Sequence, residues 1–347
     1  MQTSSTQPET PIGPLPVGPH GVAMPELPEV ETIRRIVERE LSGRTLRAVE
    51  LRVPKLLRGS PMPSLDALTG HRLLGARRRA KVLVVEWSGS LSLLVHFKLA
   101  GQFAVVRADG GRSVAGHPVP DPAGPYPHKV THVTMSFEDD VIAYISDVRQ
   151  FGWLRLMPTG DVDGALAAFK FGPEAVGPEG ISRQELAGRL SRRGMAIKTV
   201  LLDQGVLAGL GNIYVDEALH RARLHPTRSA NQLTTDELDR LHEAIPWALE
   251  RGIEQGGARI VHQRAYPVGS FPDVHAREGE ACASCGTPIV KTRVGARGTY
   301  WCPTCQPAEA PSDGGRPTAG CTPSLQATTT HRTKLVSEVR SDDVNRG

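Results

Sequence analysis

The chain has 347 residues, 39% of them apolar and 22% charged, with a formal net charge of +4. That length suits two or three domains, each with a core of its own, and the composition is that of an ordinary globular protein, not a fibrous or low-complexity one. No run approaches the about eighteen apolar residues of a membrane span, and residues 1–23 contain no Lys or Arg, so neither a membrane segment nor a secretory or mitochondrial signal is expected, and the location should be cytoplasmic.

The excess of positive charge is mild, but it clusters. Arg77, Arg78, Arg79 and Lys81 bunch together, as do Arg189, Arg192, Arg193 and Lys198. Such local clustering points to a polyanionic partner where the net charge alone does not.

Residues 1–23 hold five prolines among Gly, Ser, Thr and Gln, a composition that cannot bury enough apolar surface to offset its ordering entropy, so a disordered extension is expected over residues 1–24. From Pro25 to Leu41, Leu27, Val30, Ile33, Val37 and Leu41 recur at helical spacing, with Pro25 at the start and Gly43 just past the end. This predicts an amphipathic helix. Strand-like segments follow at Val82 to Trp87, Leu91 to His96, Phe103 to Val106, Val130 to Phe137 and Val141 to Ile145. Gly, Pro and Asp clusters separate them, which predicts an antiparallel β-sandwich reaching about residue 155.

The period then changes. Ser182 with Glu185 forms a capping-box pattern for a helix to about Arg193; Ala196 to Leu202 and Asn212 to Ala222 give two more; Thr234 with Glu237 caps a fourth that ends at Gly256 and Gly257. A helical unit is therefore expected over residues 160–262. A cysteine-containing module follows over 275–306, and residues 307–347, with the lone Cys321, have the polar composition of a solvated tail.

Three motifs carry chemistry. Cys282 and Cys285 form one Cys-x-x-Cys pair, and after sixteen intervening residues Cys302 and Cys305 form a second. Two such knuckles joined by a hairpin supply four converging thiolates, the ligand set of a structural zinc ion with no open coordination position. Two disulfides or idle thiols are the alternative. Arg293 and Arg297 lie between the knuckles, where a hairpin would carry them to a phosphate backbone or merely to a solvated turn.

The second motif is Met24-Pro25-Glu26-Leu27-Pro28-Glu29-Val30-Glu31-Thr32. It reads simply as a helix start with favourable early acids. It also reads as a nucleophile, because a chain beginning at Pro25 presents a secondary amine with a pKa of about 8, far more of it free base at neutral pH than a lysine. Attack on a sugar C1′ then gives an iminium, an electron sink for eliminating a phosphate, with Glu26 placed as general acid. The third motif is the glycine-rich stretch Gly205-Val206-Leu207-Ala208-Gly209-Leu210-Gly211-Asn212-Ile213-Tyr214, a turn before a helix. It exposes backbone N–H groups to an anion such as a DNA phosphate, or is an ordinary helix–helix turn.

In this order, PELPEVET from Pro25, RRAK at 78–81, DVRQFG at 147–152, GLGNIY at 209–214 and the four-cysteine module resemble the formamidopyrimidine-DNA glycosylase family over about residues 24–306. The resemblance implies an α+β fold: an N-terminal antiparallel β-sandwich flanked by helices over residues 25–155, a helix-two-turn-helix domain, and a zinc-finger β-hairpin. It implies a glycosylase and abasic-site lyase acting on 8-oxoguanine and formamidopyrimidines in double-stranded DNA, working as a monomer.

Carried over position by position, Pro25 resembles the imine-forming nucleophile, Glu26 the general acid, Lys81 the lysine of β-elimination and Arg297 the arginine of δ-elimination. His96, Arg193 and Asn212 match phosphate-contacting positions. Arg149 and Phe151 resemble the wedge that fills the hole left by an everted base, and Leu99 stands where the third wedge residue is usually Met. Phe151 also reads as a core residue. Val130 replaces a histidine, His275 stands where many relatives have tyrosine, and the stretch from Ala258 to Phe271 differs from the lesion-capping segment. An internal Pro25 is a tertiary amide and cannot form an imine, so the active chain is expected to begin at Pro25. Two other readings stay open: a non-catalytic binder of damaged DNA, and an oxidised-pyrimidine glycosylase of the endonuclease VIII branch, against which Leu27 speaks because that branch begins PEGPE.

Overall fold

The computed structural model describes residues 25–119, 124–258 and 270–308. The expectations for residues 1–24, for the body of the segment between Ala258 and Phe271, and for the tail beyond residue 308 with Cys321 lie outside them.

Helix α1 (Leu27–Leu41) opens the fold. Glu26 is its N-cap, Glu29 returns a side-chain bond to the Glu26 backbone N–H, and Pro28 sits in the first turn, where its missing N–H costs nothing. Its apolar stripe of Val30, Ile33, Val37 and Leu41 enters the core of the sandwich, whereas Leu27 belongs to the helical unit beyond. The first helix therefore joins the two units.

Nine strands build the sandwich: β1 (Leu46–Leu51), β2 (Leu73–Arg79), β3 (Val82–Trp87), β4 (Leu91–His96), β5 (Gly101–Val106), β6 (Arg112–Gly116), β7 (Thr131–Phe137), β8 (Ile142–Asp147) and β9 (Trp153–Pro158). They form a five-stranded sheet ordered β1-β7-β8-β5-β6 and a four-stranded sheet ordered β2-β3-β4-β9. Every pairing is antiparallel. Phe103, Val105, Val133, Met135, Leu83, Val85, Leu93 and Val95 interleave between the sheets. Helix α2 (Val162–Ala167) covers the outer face of the smaller sheet through Val162 and Leu166.

The helical unit contains α3 (Arg183–Leu190), α4 (Ile197–Leu201), α5 (Asn212–Arg221) and α6 (Thr235–Glu254). The Thr234–Glu237 capping box forms in full. At α3 only half of the expected box does: Ser182 Oγ accepts from Glu185 N, while Glu185 turns its carboxylate to Arg189. Strands β10 (Val290–Val294) and β11 (Arg297–Trp301) make the terminal hairpin, in register from Val290 opposite Trp301 to Val294 opposite Arg297.

The sequence reading missed β1, β2, β6, β9 and α2. The reason is clearest at β2, where Arg77, Arg78 and Arg79 masked a strand. Each of these arginines is also paired within the chain. Arg77 pairs with Glu86 and Asp163, and Arg78 and Arg79 both pair with Glu174, tying the sandwich to the segment that leads into the helices.

Candidate active site and nucleic-acid interface

The site grows from the first helical turn. Glu26 is 1% exposed. Its carboxylate accepts from the backbone N–H groups of Ile213 (3.2 Å) and Tyr214 (3.5 Å) at the start of α5, and Leu27 N donates to Gly209 O. The glycines of this turn are required by the approach. Gly209 has a φ of +98°, and a Cβ on Gly211 would stand 2.1 Å from the Glu26 carboxyl carbon. The group over this helix N-terminus is thus the chain's own Glu26 carboxyl, where the sequence offered either a DNA phosphate or an ordinary helix–helix turn.

Burial pushes the Glu26 carboxyl up to about 7, against the opposing pull of Lys81 and the two N–H groups. Glu29, also buried, accepts from Glu26 N, from Tyr214 Oη–H (2.7 Å) and from Ala258 N (2.6 Å), joining the first helix to α5 and to the end of α6. Burial raises its carboxyl too. Burial lowers the ammonium of Lys81, an effect that Glu26 and Glu29 oppose and that Arg297 and Lys98 reinforce. Pro25 itself is buried beside this group. Glu26, next to Pro25 in the chain, thus lies within electrostatic range of Lys81, and Lys81 within that of Arg297, although these residues are far apart in sequence.

His96 stays neutral, since burial first, with Lys98 and Lys81 adding to it, lowers its pKa to about 3. Its Nδ1 accepts from Lys98 N at 3.0 Å, which assigns the proton to Nε2 as a donor. Arg193 is part-exposed and pairs with Asp203 (3.3 Å). It lines an open cleft of about 430 Å³ with Arg189 and Arg192. Lys198, the fourth member of that sequence cluster, is instead fully buried, 2.6 Å from Asp216. Asn212 Nδ2 donates to Gly298 O, which leaves its buried Oδ1 without a partner.

The wedge candidates project from two adjoining loops. Asp147, at the end of β8, lies opposite Gly101 at the start of β5. Its carboxylate accepts from Arg149 N (3.0 Å) and Gly152 N (2.8 Å), closing the loop that carries Arg149 and Phe151. Phe151 is 52% exposed, with the Arg149 guanidinium 5.0 Å from its ring centre, so the reading of Phe151 as core is wrong. Leu99 sits in the turn between β4 and β5, half-buried.

The four cysteine sulfurs lie within 4.8 Å of one another, with Cys285–Cys302 at 3.4 Å and Cys282–Cys305 at 3.9 Å. These separations are far too long for disulfides. They match the about 3.8 Å edge of a tetrahedron of sulfurs around a metal at about 2.3 Å, so the set fits a structural metal.

Three family models match the chain in order. They are the formamidopyrimidine-DNA glycosylase N-terminal domain over residues 24–154, that enzyme's helix-two-turn-helix domain over 171–263, and the zinc finger found in this glycosylase and isoleucyl-tRNA synthetase over 279–308. The chain belongs to the formamidopyrimidine-DNA glycosylase family. Among the family's members, that of Pelotomaculum thermopropionicum is 38% identical over 82% of this chain and 99% of its own length. That of Herpetosiphon aurantiacus is 40% identical over 82% and 100%. Solved structures of the Lactococcus lactis glycosylase superpose with a TM-score of 0.70. One, in complex with DNA containing an abasic site, is 34% identical over 81% of this chain and 99% of its own. Another, with DNA containing a formamidopyrimidine nucleotide, is 33% identical over 81% and 100%.

Within this glycosylase fold, sequence reasoning overlooked a buried polar cluster beneath the hairpin. Asp216 joins Lys198, His275 Nδ1 (2.8 Å) and Tyr300 N (3.2 Å), and Lys198 Nζ also reaches Gly298 O. Next to it, Glu217 accepts from Asp273, Val274 and His275 N–H groups. The signal was a lysine between apolar neighbours, Ile197 and Val200, on a short helix that buries them all.

Proposed function

We propose that this protein excises oxidised purines, 8-oxoguanine and formamidopyrimidines, from duplex DNA and then nicks the abasic site by β,δ-elimination. One observation carries the reading: the carboxyl of Glu26, one residue after Pro25, is buried over the start of α5 and within the field of Lys81, and burial raises it to about 7. Excision needs an acid that is protonated at the working pH, and a buried carboxyl with this shift supplies one. The Lactococcus lactis relatives in complex with DNA that contains an abasic site or a formamidopyrimidine nucleotide support damaged DNA as substrate.

The Pro25 nitrogen, as a free secondary amine, attacks C1′ while the bond to the damaged base breaks, and Glu26 protonates the opening sugar ring. The cationic iminium then accepts the electron pair released when a C2′ proton leaves, which expels the 3′ phosphate. Lys81, within the field of Glu26, serves as the partner for β-elimination, and Arg297, at the start of β11, as the partner for δ-elimination. His96 Nε2–H, Arg193 and Asn212 hold phosphates, and Arg149, Phe151 and Leu99 fill the place of the everted base. Cys282, Cys285, Cys302 and Cys305 hold one structural zinc ion, which supplies a cross-link and no catalytic step.

Borohydride reduction on abasic DNA tests this. A chain beginning at Pro25 is expected to be trapped, with the adduct on Pro25, because only there is the nitrogen an amine. Equal trapping of a chain that keeps residues 1–24 would overturn the mechanism.

A further inference from the structure

Helix α5 presents Asn212, Asp216 and His220 at i, i+4 and i+8, along one face. Each meets the C-terminal module at a different point. Asn212 Nδ2 donates to Gly298 O, Asp216 accepts from Tyr300 N, and His220 Nε2 lies 3.4 Å from Cys282 Sγ. The first two grip the hairpin strand that carries Arg297. The third reaches the thiol cluster itself.

The four sulfurs complete a tetrahedral set without His220, so the imidazole stands outside the ligands and touches one of them. A metal-bound thiolate carries no proton. A nitrogen at this distance therefore either donates an N–H to the sulfur or sets one lone pair against another. Both residues are buried, His220 at 7% and Cys282 at 3% exposure, so water cannot relieve the second arrangement. A neutral imidazole has one N–H to give, and giving it from Nε2 satisfies both groups.

We propose that His220 donates its Nε2–H to the Cys282 thiolate, so that retention of the metal depends on the helix-two-turn-helix unit as well as on the four cysteines. The donated bond draws charge from the sulfur and makes it a poorer target for a competing proton or chelator. The same helix face then ties metal occupancy to the position of Gly298 and Tyr300, and through them to the hairpin arm of Arg297.

The inference rests on the cysteines being metal ligands, and metal stoichiometry of the purified full-length chain tests that separately: a metal-free protein overturns the ligand reading itself. With metal present, two measurements address His220. In protein loaded with NMR-active cadmium, a through-bond correlation between the metal and the His220 Nε2 proton is expected; its absence, with the proton on Nδ1, overturns the proposal without any variant. In chelator-driven release, His220→Phe is expected to lose metal about tenfold faster or more. His220→Gln, which keeps a donor at similar reach, should stay near the parent rate. Equal rates for all three, or a glutamine variant as fast as the phenylalanine one, would mean that His220 only fills space.

Discussion

Gly211 and Glu26 compete for one volume: a Cβ on residue 211 would stand 2.1 Å from the Glu26 carboxyl carbon and 2.3 Å from Oε1. Gly211→Ala must therefore push the carboxylate away from the Ile213 and Tyr214 N–H groups. Base excision in single turnover should fall by about 100-fold, the lower range for a displaced general acid. Nicking of preformed abasic DNA, which needs the amine more than the acid, should fall less. Wild-type excision by Gly211→Ala would remove Glu26 in this pose from the mechanism.

The acid and amine roles fix the shape of the pH dependence. Glu26 acts protonated with its carboxyl raised to about 7, and Pro25 acts as a free amine with a pKa of about 8. Excision should therefore rise with pH as the amine loses its proton, level off near neutral pH and decline on an alkaline limb where the carboxyl has lost its own. His96, held neutral by its depressed pKa of about 3, cannot account for that limb. The linked stability runs the same way: with a folded value above the ordinary 4.5, the contribution of Glu26 is fully present below 4.5 and is lost as pH rises through about 7. Glu26→Gln should abolish the limb together with excision, and a single-turnover pH profile of both proteins checks it.

Lys198 and Asp216 form an ion pair with both side chains wholly out of solvent. Removing one partner leaves a buried charge without its counterion, which costs about 3–5 kcal/mol. Lys198→Met should lower the denaturant midpoint accordingly, while the double change Lys198→Met with Asp216→Leu recovers part of the loss. A single variant as stable as the parent would mean that the pair is not ionised.

Cys302 sits on the hairpin's second knuckle, fully buried. Cys302→Ser should release metal and loosen β10 and β11, so that δ-elimination falls more than β-elimination because Arg297 is no longer held. Product ratios on abasic DNA, beside metal content, measure this. Retained metal with an unchanged ratio would contradict it.

What the sequence made legible was what repeats or caps. The helix period placed α1, α5 and α6 within a few residues, and the cysteine spacing placed the thiol cluster. Ionic side chains misled where charge was taken for exposure. Arg78, Arg79 and Lys198 look like surface cations in sequence, yet each answers a carboxylate distant in the chain: Glu174 for the arginines, Asp216 for the lysine. The donors to Glu29 (Tyr214 and Ala258) were equally hidden, because only tertiary folding brings α5 and the end of α6 to the first turn.

The wedge prediction follows from Asp147. Its two oxygens accept from Arg149 N and Gly152 N, so the loop is closed before any DNA arrives and Phe151 projects from it into solvent. An exposed aromatic of this kind contributes little to folding, so Phe151→Ala should leave stability within about 0.5 kcal/mol of the parent. Its cost should fall on the substrate whose stack must be opened. Everting a paired base takes a few kcal/mol, part of which an inserted ring returns, and a loss of about 10- to 100-fold is expected on an 8-oxoguanine duplex. On abasic DNA, where no base needs extruding, the loss should be several times smaller. Asp147→Ala should give the same pattern, since it frees the loop that aims the ring, whereas Lys81→Ala should harm both substrates alike. Single-turnover rates for the three variants on the two substrates decide it: equal losses for Phe151→Ala on both would show that the ring contacts DNA without opening it.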